Sequence, residues 1–350
     1  VGSLARGALA LRAGSSHSSF QALIFLLLPE NKEEHRLSLP IQPLIIHFTL
    51  TRRWQRPFYT GSLLRGLFGH GLKAVSCMTN APTCQACPLT THCSYYRVFE
   101  PEGQVFEQQG KRPPPPYVIN PPPPGPPQWM QAGERLSFGM NLFGQDALAL
   151  LPTLISAWKL AAQQPVEGQR VFAFDSLQWL DWNRQPLGTA RSPSDLPALQ
   201  APLAETTEMM ACCASSQPLH LQLITPLRLR VQQRELRAEQ LDAEQLLKAL
   251  LRRVHLLEQA YGQPEPLPEQ WQSNLAQLSL QSQLRWVDWK RWSNRQQQAL
   301  KMGGLLGDIK LTGDWATYVP ALALLPWVNL GKNCTLGLGR LMLVKKTNHV

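Results

Sequence analysis

The run CMTNAPTCQACPLTTHC sets Cys77, Cys84, Cys87 and Cys93 apart by six, two and five residues. Two thiolates two residues apart can chelate one ion from a tight turn, and two more can complete a tetrahedron. Zinc suits this donor set, and four sulfur ligands leave no position for water, so its role would be structural. His92, beside Cys93, is an alternative ligand or a surface residue. Four independent reduced thiols remain the competing reading, because the spacing is not that of the best-known zinc modules. The seven cysteines are an odd count, which suits metal binding in a reducing compartment better than a disulfide framework. The cytoplasm is the expected location.

A second constellation lies near the C-terminus. In VNLGKNCTLGLGR, residues 328–340, three glycines and two cations crowd a short turn. Glycine lets backbone N–H groups approach an anion such as phosphate, while the plainer reading is a glycine-rich hairpin. Three windows concentrate positive charge with little acid among them. The first holds Arg52, Arg53, Arg56, Arg65 and Lys73; the second holds Arg285, Lys290, Arg291, Arg295 and Lys301 with Asp288; the third holds Lys332, Arg340, Lys345 and Lys346. Each alone reads as a solvated face, but together on one cleft they would neutralise several phosphates and make binding steeply salt dependent. Trp286, Trp289 and Trp292 interleave with the second window, either to stack on unpaired bases or to fill a core.

Whole-chain totals agree with an anionic partner. Lys and Arg number 34 against 24 Asp and Glu, giving +10 and a pI near 9.5. Nucleic acid is therefore expected ahead of membrane. The longest apolar run, FQALIFLLLP at 20–29, is far short of the ~20 residues that span a bilayer. The opening stretch shows no convincing cleavage site for a secretory signal.

The elements that must position these residues repeat. PLIIHFTLT at 43–51 alternates as a half-buried strand, and TGSLLRGLFGHGLKAV follows with Leu63, Leu64, Leu67, Phe68 and Leu72 at helical spacing. Gly66, Gly69 and Gly71 weaken that helix and imply a close approach. Strand YVIN, flanked by proline tracts that read as stiff surface connections, strand GERLSFGMNLF, helix GQDALALLPTLISAWKLAAQQ and strand RVFAFDSLQWLDW complete a βαββαβ order. The same order recurs from LHLQLITPLRLRV to TLGLGRLMLVKK. The expected fold class is α+β: two tandem ferredoxin-like, RRM-like domains with a Cys-rich zinc-binding insertion in the first. Residues 1–39 read as an N-terminal extension, 40–185 as the first domain, 186–217 as a linker and 218–346 as the second domain. The topology hosts many functions and does not choose one.

Several stretches taken in order are more specific. YTGSLLRGLFGHGLK, CPLTTHCSYYRVFEP, RPPPPYVINPP, LITPLRLR, WSNRQQQALKMGGLLGDI and NLGKNCTLGLGRL resemble the CRISPR-associated precursor-RNA-processing endoribonucleases of the RAMP superfamily, over residues 40–345. The resemblance implies metal-independent cleavage of CRISPR repeat RNA to guide RNAs, leaving 2′,3′-cyclic phosphate and 5′-hydroxyl ends, with zinc outside the chemistry. Its expected partners are precursor RNA and, where the chain does not act alone, an effector complex or adaptation proteins.

By that resemblance the catalytic histidine lies in or just after the first helix, which makes it His70. Tyr59 would orient the RNA or assist, and Lys73 would face the same phosphate. His47, on the polar side of the first strand, is the second candidate. The RNA contacts expected are Lys332, Gly337, Gly339 and Arg340 by the resemblance, and Arg52, Arg53, Arg65, Arg291 and Arg295 from the basic windows. One departure is Asn329, where many relatives carry a histidine before the glycine-rich loop. Two alternatives stay open: a non-catalytic RNA-binding subunit of an effector complex, and an unrelated zinc-stabilised interaction protein.

Overall fold

Alternation along the first strand places Leu44, Ile46, Phe48 and Leu50 on one face, where all are buried. The computed structural model describes residues 39–79, 81, 83–197, 218–264, 275–293 and 298–344. These belong to one compact unit spanning residues 35–350. The expected N-terminal extension (except Leu39), most of the linker, Arg295, Lys345 and Lys346 lie outside the described residues, as do the side chains of Arg291 and Trp292.

The first half runs β1 (Ile41–Leu50), β2 (Trp54–Arg56), α1 (Gly61–Ser76), α2 (Ser94–Phe99), β3 (Tyr117–Asn120), β4 (Gln128–Met130), β5 (Arg135–Phe143), α3 (Leu151–Ala162), β6 (Phe172–Leu180) and β7 (Pro186–Ala190). Its main sheet has the order β3-β5-β1-β6-β7, every neighbour antiparallel. Helices α1 and α3 cover one face through Leu64, Leu67, Phe68, Leu72, Ile155 and Trp158. Phe68 stacks on Trp158 at 4.9 Å, and Phe48 meets Phe138 edge-on at 5.2 Å. Of the three glycines expected to admit a neighbour, Gly71 does so: a Cβ there would lie 2.0 Å from the Ala157 carbonyl oxygen of α3. A Cβ on Gly66 would meet nothing within 4 Å.

The second half runs β8 (Leu219–Leu227), α4 (Ala243–Tyr261), β9 (Ser279–Ser293), β10 (Gln298–Thr312), α5 (Val319–Val328) and β11 (Leu341–Leu343). Its sheet has the order β9-β10-β8-β11, again antiparallel. Helix α4 begins at Asp242, whose carboxylate accepts from the Gln245 N–H at 2.7 Å. Leu246, Leu247, Leu250, Leu251, Val254 and Leu257 then recur at helical spacing and are buried. Helix α5 is apolar all round and buried from Pro320 to Val328. Strands β9 and β10 pair from Ser279–Thr312 out to Ser293–Gln298, so their outer part projects beyond β8, whose pairing ends at Leu227–Leu305.

The molecule is thus α+β with antiparallel sheets. In each half the order across the sheet is second, third, first, fourth, with a helix after the first strand and one after the third. Four details differ from the sequence expectation. Strand β1 is buried on both faces, because the second half covers the face that carries Pro43 and Ile45. Strand β7 falls in the stretch expected as linker and extends the first sheet by pairing with β6. The long helix expected from Gly144 is broken into Gln145–Leu148 and α3, with Pro152 in the first turn of the latter. The last strand shrinks to three residues, because 334–339 curl into turns. No described helix is long and apolar enough to cross a membrane.

Candidate nucleic-acid interface

Helix α5 ends inside the protein, and the loop after it must satisfy its own backbone there. Asn329 turns the chain with φ +50°, fully buried, and its Nδ2 donates to the Leu338 carbonyl at 3.3 Å. The sequence departure at this position is therefore a turn-forming residue beneath the loop. Leu330 N–H donates to Gly339 O, Gly339 N–H to Pro226 O and Lys332 N–H to Arg228 O. Thr225, fully buried on β8, donates its hydroxyl to Gly337 O at 2.6 Å and accepts from Arg340 N–H at 2.9 Å.

The glycines serve this fit. A Cβ on Gly337 would stand 2.2 Å from Pro121 Cδ, and one on Gly339 would stand 1.8 Å from Leu330 O. Both also have φ above +70° and are buried. Their bare sides face the protein's own backbone, which corrects the expectation that they open the loop to a ligand.

The loop rests on the start of α1. Tyr59 donates its hydroxyl to Leu336 O at 2.7 Å, and a Cβ on Gly61 would lie 1.9 Å from the same oxygen. Tyr59 also packs on Trp289 at 5.2 Å, within an apolar cluster with Met302, Leu336 and Leu338. One residue or more from each of the three basic windows' segments thereby meets at this cluster. Burial first, and Cys334 second, push the Tyr59 phenol well above its ordinary range, against an opposing pull from Arg340. A buried, donating, hard-to-ionise phenol holds the loop in place; it is not poised for proton transfer.

His70 and Lys73 lie elsewhere. From residue 61 to 70 the helix rises ~13.5 Å and turns ~180°, so His70 is exposed on the side of α1 away from the loop. Lys73 donates to Ala81 O at 3.1 Å, beside the cysteine loop. Arg65 lies 5.0 Å over the Phe99 ring, a structural packing contact. His47 is 9 % exposed, with Nδ1 2.7 Å from Ser137 Oγ and Nε2 3.1 Å from Gln178 Oε1. Arg52 and Arg53 are exposed; Arg52 bonds Gln169, and Arg53 lies 4.1 Å over Trp129. The interleaved tryptophans are engaged too: Trp286 sits under Arg237 at 4.3 Å and Trp289 in the cluster.

Around the loop, Arg228 is paired with Glu235, while Lys332 is exposed. Arg340 lines a pocket of about 350 Å3 together with Arg184, Trp327, Pro326, Asn120 and Ile45. Arg184, from the β6–β7 turn, lies 4.8 Å over the Trp327 ring. Burial first and the Arg184 charge second lower the Arg340 guanidinium to about 10, against an opposing effect of Tyr59. Sequence reasoning missed Arg184 and Asn120: a lone cation in a turn and a polar end to YVIN carry no local signal.

The four cysteines do come together. Cys77 at the end of α1, Cys84 and Cys87 in the loop, and Cys93 before α2 line one pocket of about 110 Å3 with His92 and Tyr95. Burial, then Glu100 and Cys93, push the Cys84 thiol up, with Lys73 opposing. Among the described residues, however, no three His, Cys, Asp or Glu side chains converge closely enough to hold a metal ion.

Two family models match parts of the chain. Residues 39–190 match an N-terminal domain family, AF_1859_N, and residues 221–341 match the CRISPR-associated endoribonuclease Cas6 family. Over that second stretch the chain is Cas6-like. Its Cas6 segment begins in β8 and contains the whole loop from Asn329 to Arg340. Among solved structures, this chain is similar to a chain of a partial Cas6-RT-Cas1-Cas2 complex, with 15% identity and TM-score 0.55 over 89% of its length. It spans only 47% of that chain, about half of its length. A Cas6 product complex matches with 14% identity and TM-score 0.54, covering 87% of this chain and 99% of the other. Thermus thermophilus Cas6 matches with 13% identity and TM-score 0.51 over the same shares. At these identities the likeness is one of fold. No curated protein matches the chain.

Proposed function

We propose that this chain is an endoribonuclease that cuts CRISPR repeat RNA to release guide RNAs, built as two ferredoxin-like units. The observation that carries the reading is the family match over 221–341, which spans the loop docked on α1. The net charge of +10 supports a polyanionic substrate. In the proposed reaction a ribose 2′-hydroxyl loses its proton to a base and attacks the adjacent phosphate in line. The 5′-oxygen leaves with a proton, giving a 2′,3′-cyclic phosphate and a 5′-hydroxyl without a metal.

His70 is the proton carrier in this reading because its imidazole is exposed on α1, open to a substrate. Tyr59 and Lys73 act through position: one anchors the loop and the other ties α1 to the cysteine loop. Lys332 and Arg340 contact phosphate, joined by Arg52 and Arg53 and by the outer part of β9. A structural zinc on the four cysteines is part of the proposal, outside the chemistry. It requires the thiols that line the pocket to close on the ion.

One observation favours the second reading, a non-catalytic RNA-binding subunit. His70 and the loop lie at opposite ends and sides of the first turns of α1. The deciding experiment is a single-turnover assay with the host's repeat RNA in EDTA, comparing wild type with His70→Ala. A cyclic phosphate made by wild type and much slower in the variant, at similar RNA affinity, supports the nuclease. Tight, salt-sensitive binding without cleavage supports the subunit; equal rates remove His70 from the chemistry.

A further inference from the structure

The pocket between the β6–β7 turn and the end of the loop holds two positive charges and nothing described to neutralise them. Arg184 and Arg340 line it together, and no Asp or Glu is among its lining residues. Arg340 Nε is buried without an acceptor. Asn120 Oδ1 is likewise without a donor, on a residue only 5 % exposed that lines the same pocket. Among the described residues the Arg184 guanidinium donates to Met342 Sδ at 3.2 Å, a weak acceptor. Two half-buried guanidiniums side by side repel each other and have given up part of their hydration, an arrangement that an arriving anion relieves. Two guanidiniums can bind a phosphate bidentately, and the donor left idle on Arg340 is of the kind such an anion uses.

We infer that this pocket is a subsite for one phosphodiester of a single-stranded RNA segment, held between the Arg184 and Arg340 guanidiniums. The subsite rests on the RNA-binding reading above and adds Arg184, which lies outside the Cas6-matched stretch 221–341 and outside the three basic windows. Its volume of about 350 Å3 exceeds what a phosphate group fills and falls in the range of nucleotide-sized pockets. Pro326, Trp327 and Ile45 supply apolar wall for a ribose or base, and Asn120 Oδ1 offers an acceptor to it. Because Arg184 belongs to the first half and Arg340 to the second, the bound strand would bridge them.

The test measures anisotropy of a labelled oligouridylate on the full chain across a range of KCl concentrations. Arg184→Ala is expected to weaken binding about tenfold. It should also flatten the plot of log affinity against log salt by about 0.7, one phosphate contact on a single strand. Arg184→Lys keeps the slope while losing much of the affinity, since an ammonium cannot reproduce the fork. Lys248→Ala, on the outer face of α4, changes neither. Thermal melting checks that the variants fold; if Arg184→Ala does not, Arg184→Lys carries the test, and wild-type affinity there overturns the subsite. Unchanged affinity and slope in a folded Arg184→Ala overturn it as well. Inorganic phosphate and AMP are titrated in parallel. AMP binding that is lost in Arg184→Ala while RNA affinity stays unchanged would mean a free-nucleotide site and overturn the RNA subsite. Failure of wild type to bind any RNA removes the broader reading and the subsite with it.

Discussion

Two glycines five residues apart on α1 should respond to alanine with opposite signs. Gly66 has open space where its Cβ would be, so Gly66→Ala gains only the helix propensity, roughly 0.5–1 kcal/mol. At Gly71 the new Cβ would lie 2.0 Å from Ala157 O and 2.9 Å from Ala161 N. Both are backbone atoms of α3, well inside the ~3.5 Å at which non-bonded heavy atoms sit comfortably. Neither can swing away as a side chain would, so α1 and α3 must separate over a core that includes Leu72, Trp158 and Phe68. Overpacking of this kind costs about 1–3 kcal/mol, and the same propensity gain offsets part of it. The expected result is a net loss of roughly 1–2 kcal/mol for Gly71→Ala against a gain for Gly66→Ala. Urea denaturation followed by circular dichroism reads both from the shift in midpoint at constant slope. If the two substitutions move the midpoint in the same direction, the close packing of α1 on α3 is refuted.

Three further outcomes follow from the site. Thr225→Val removes the hydroxyl that ties Gly337 O and Arg340 N–H to β8, leaving buried polar groups unpaired. A loss of about 1–3 kcal/mol in denaturant is expected, and no change would mean that the loop holds itself. Lys332→Ala should weaken RNA binding and lower the salt slope by about 0.7 while leaving the melting temperature in place. An unaltered slope would exclude Lys332 from phosphate contact. Protein purified without chelators should contain one zinc per chain by elemental analysis, and substituting Cys84 by Ser should lower both zinc content and melting temperature; metal-free native protein would leave four reduced thiols.

The sequence by itself determined which segments form strands and helices, because burial periodicities of two and 3.6 are local properties. Strand β1 and helices α1 and α4 show their apolar faces directly. It also determined the grouping of the cysteines, close in sequence and so close in space, and the order of motifs that pointed to the family. Strand β7 and the shortening of β11 depend on which backbone groups find partners, and pairing is a property of the sheet; burial of both faces of β1 depends on the second half, while the break before α3 has a local sign in Pro152.

Only the tertiary structure decided what the individual site residues can do. Gly337 and Gly339 looked like openings for phosphate, yet the space beside one is filled by Pro121 from the first half and beside the other by Leu330, folded back from the start of the same loop. Tyr59 and His70 lie on one short motif, but the loop docks where the helix begins, at Tyr59 and Gly61, and nine residues of helix carry His70 from Gly61 to the opposite side. Arg184 and Arg340 are 156 residues apart in the sequence (340 − 184), and no local pattern joins them. Their shared pocket exists because the second half packs on the open face of the first sheet. Charge, burial and missing partners combine there only after the chain has folded.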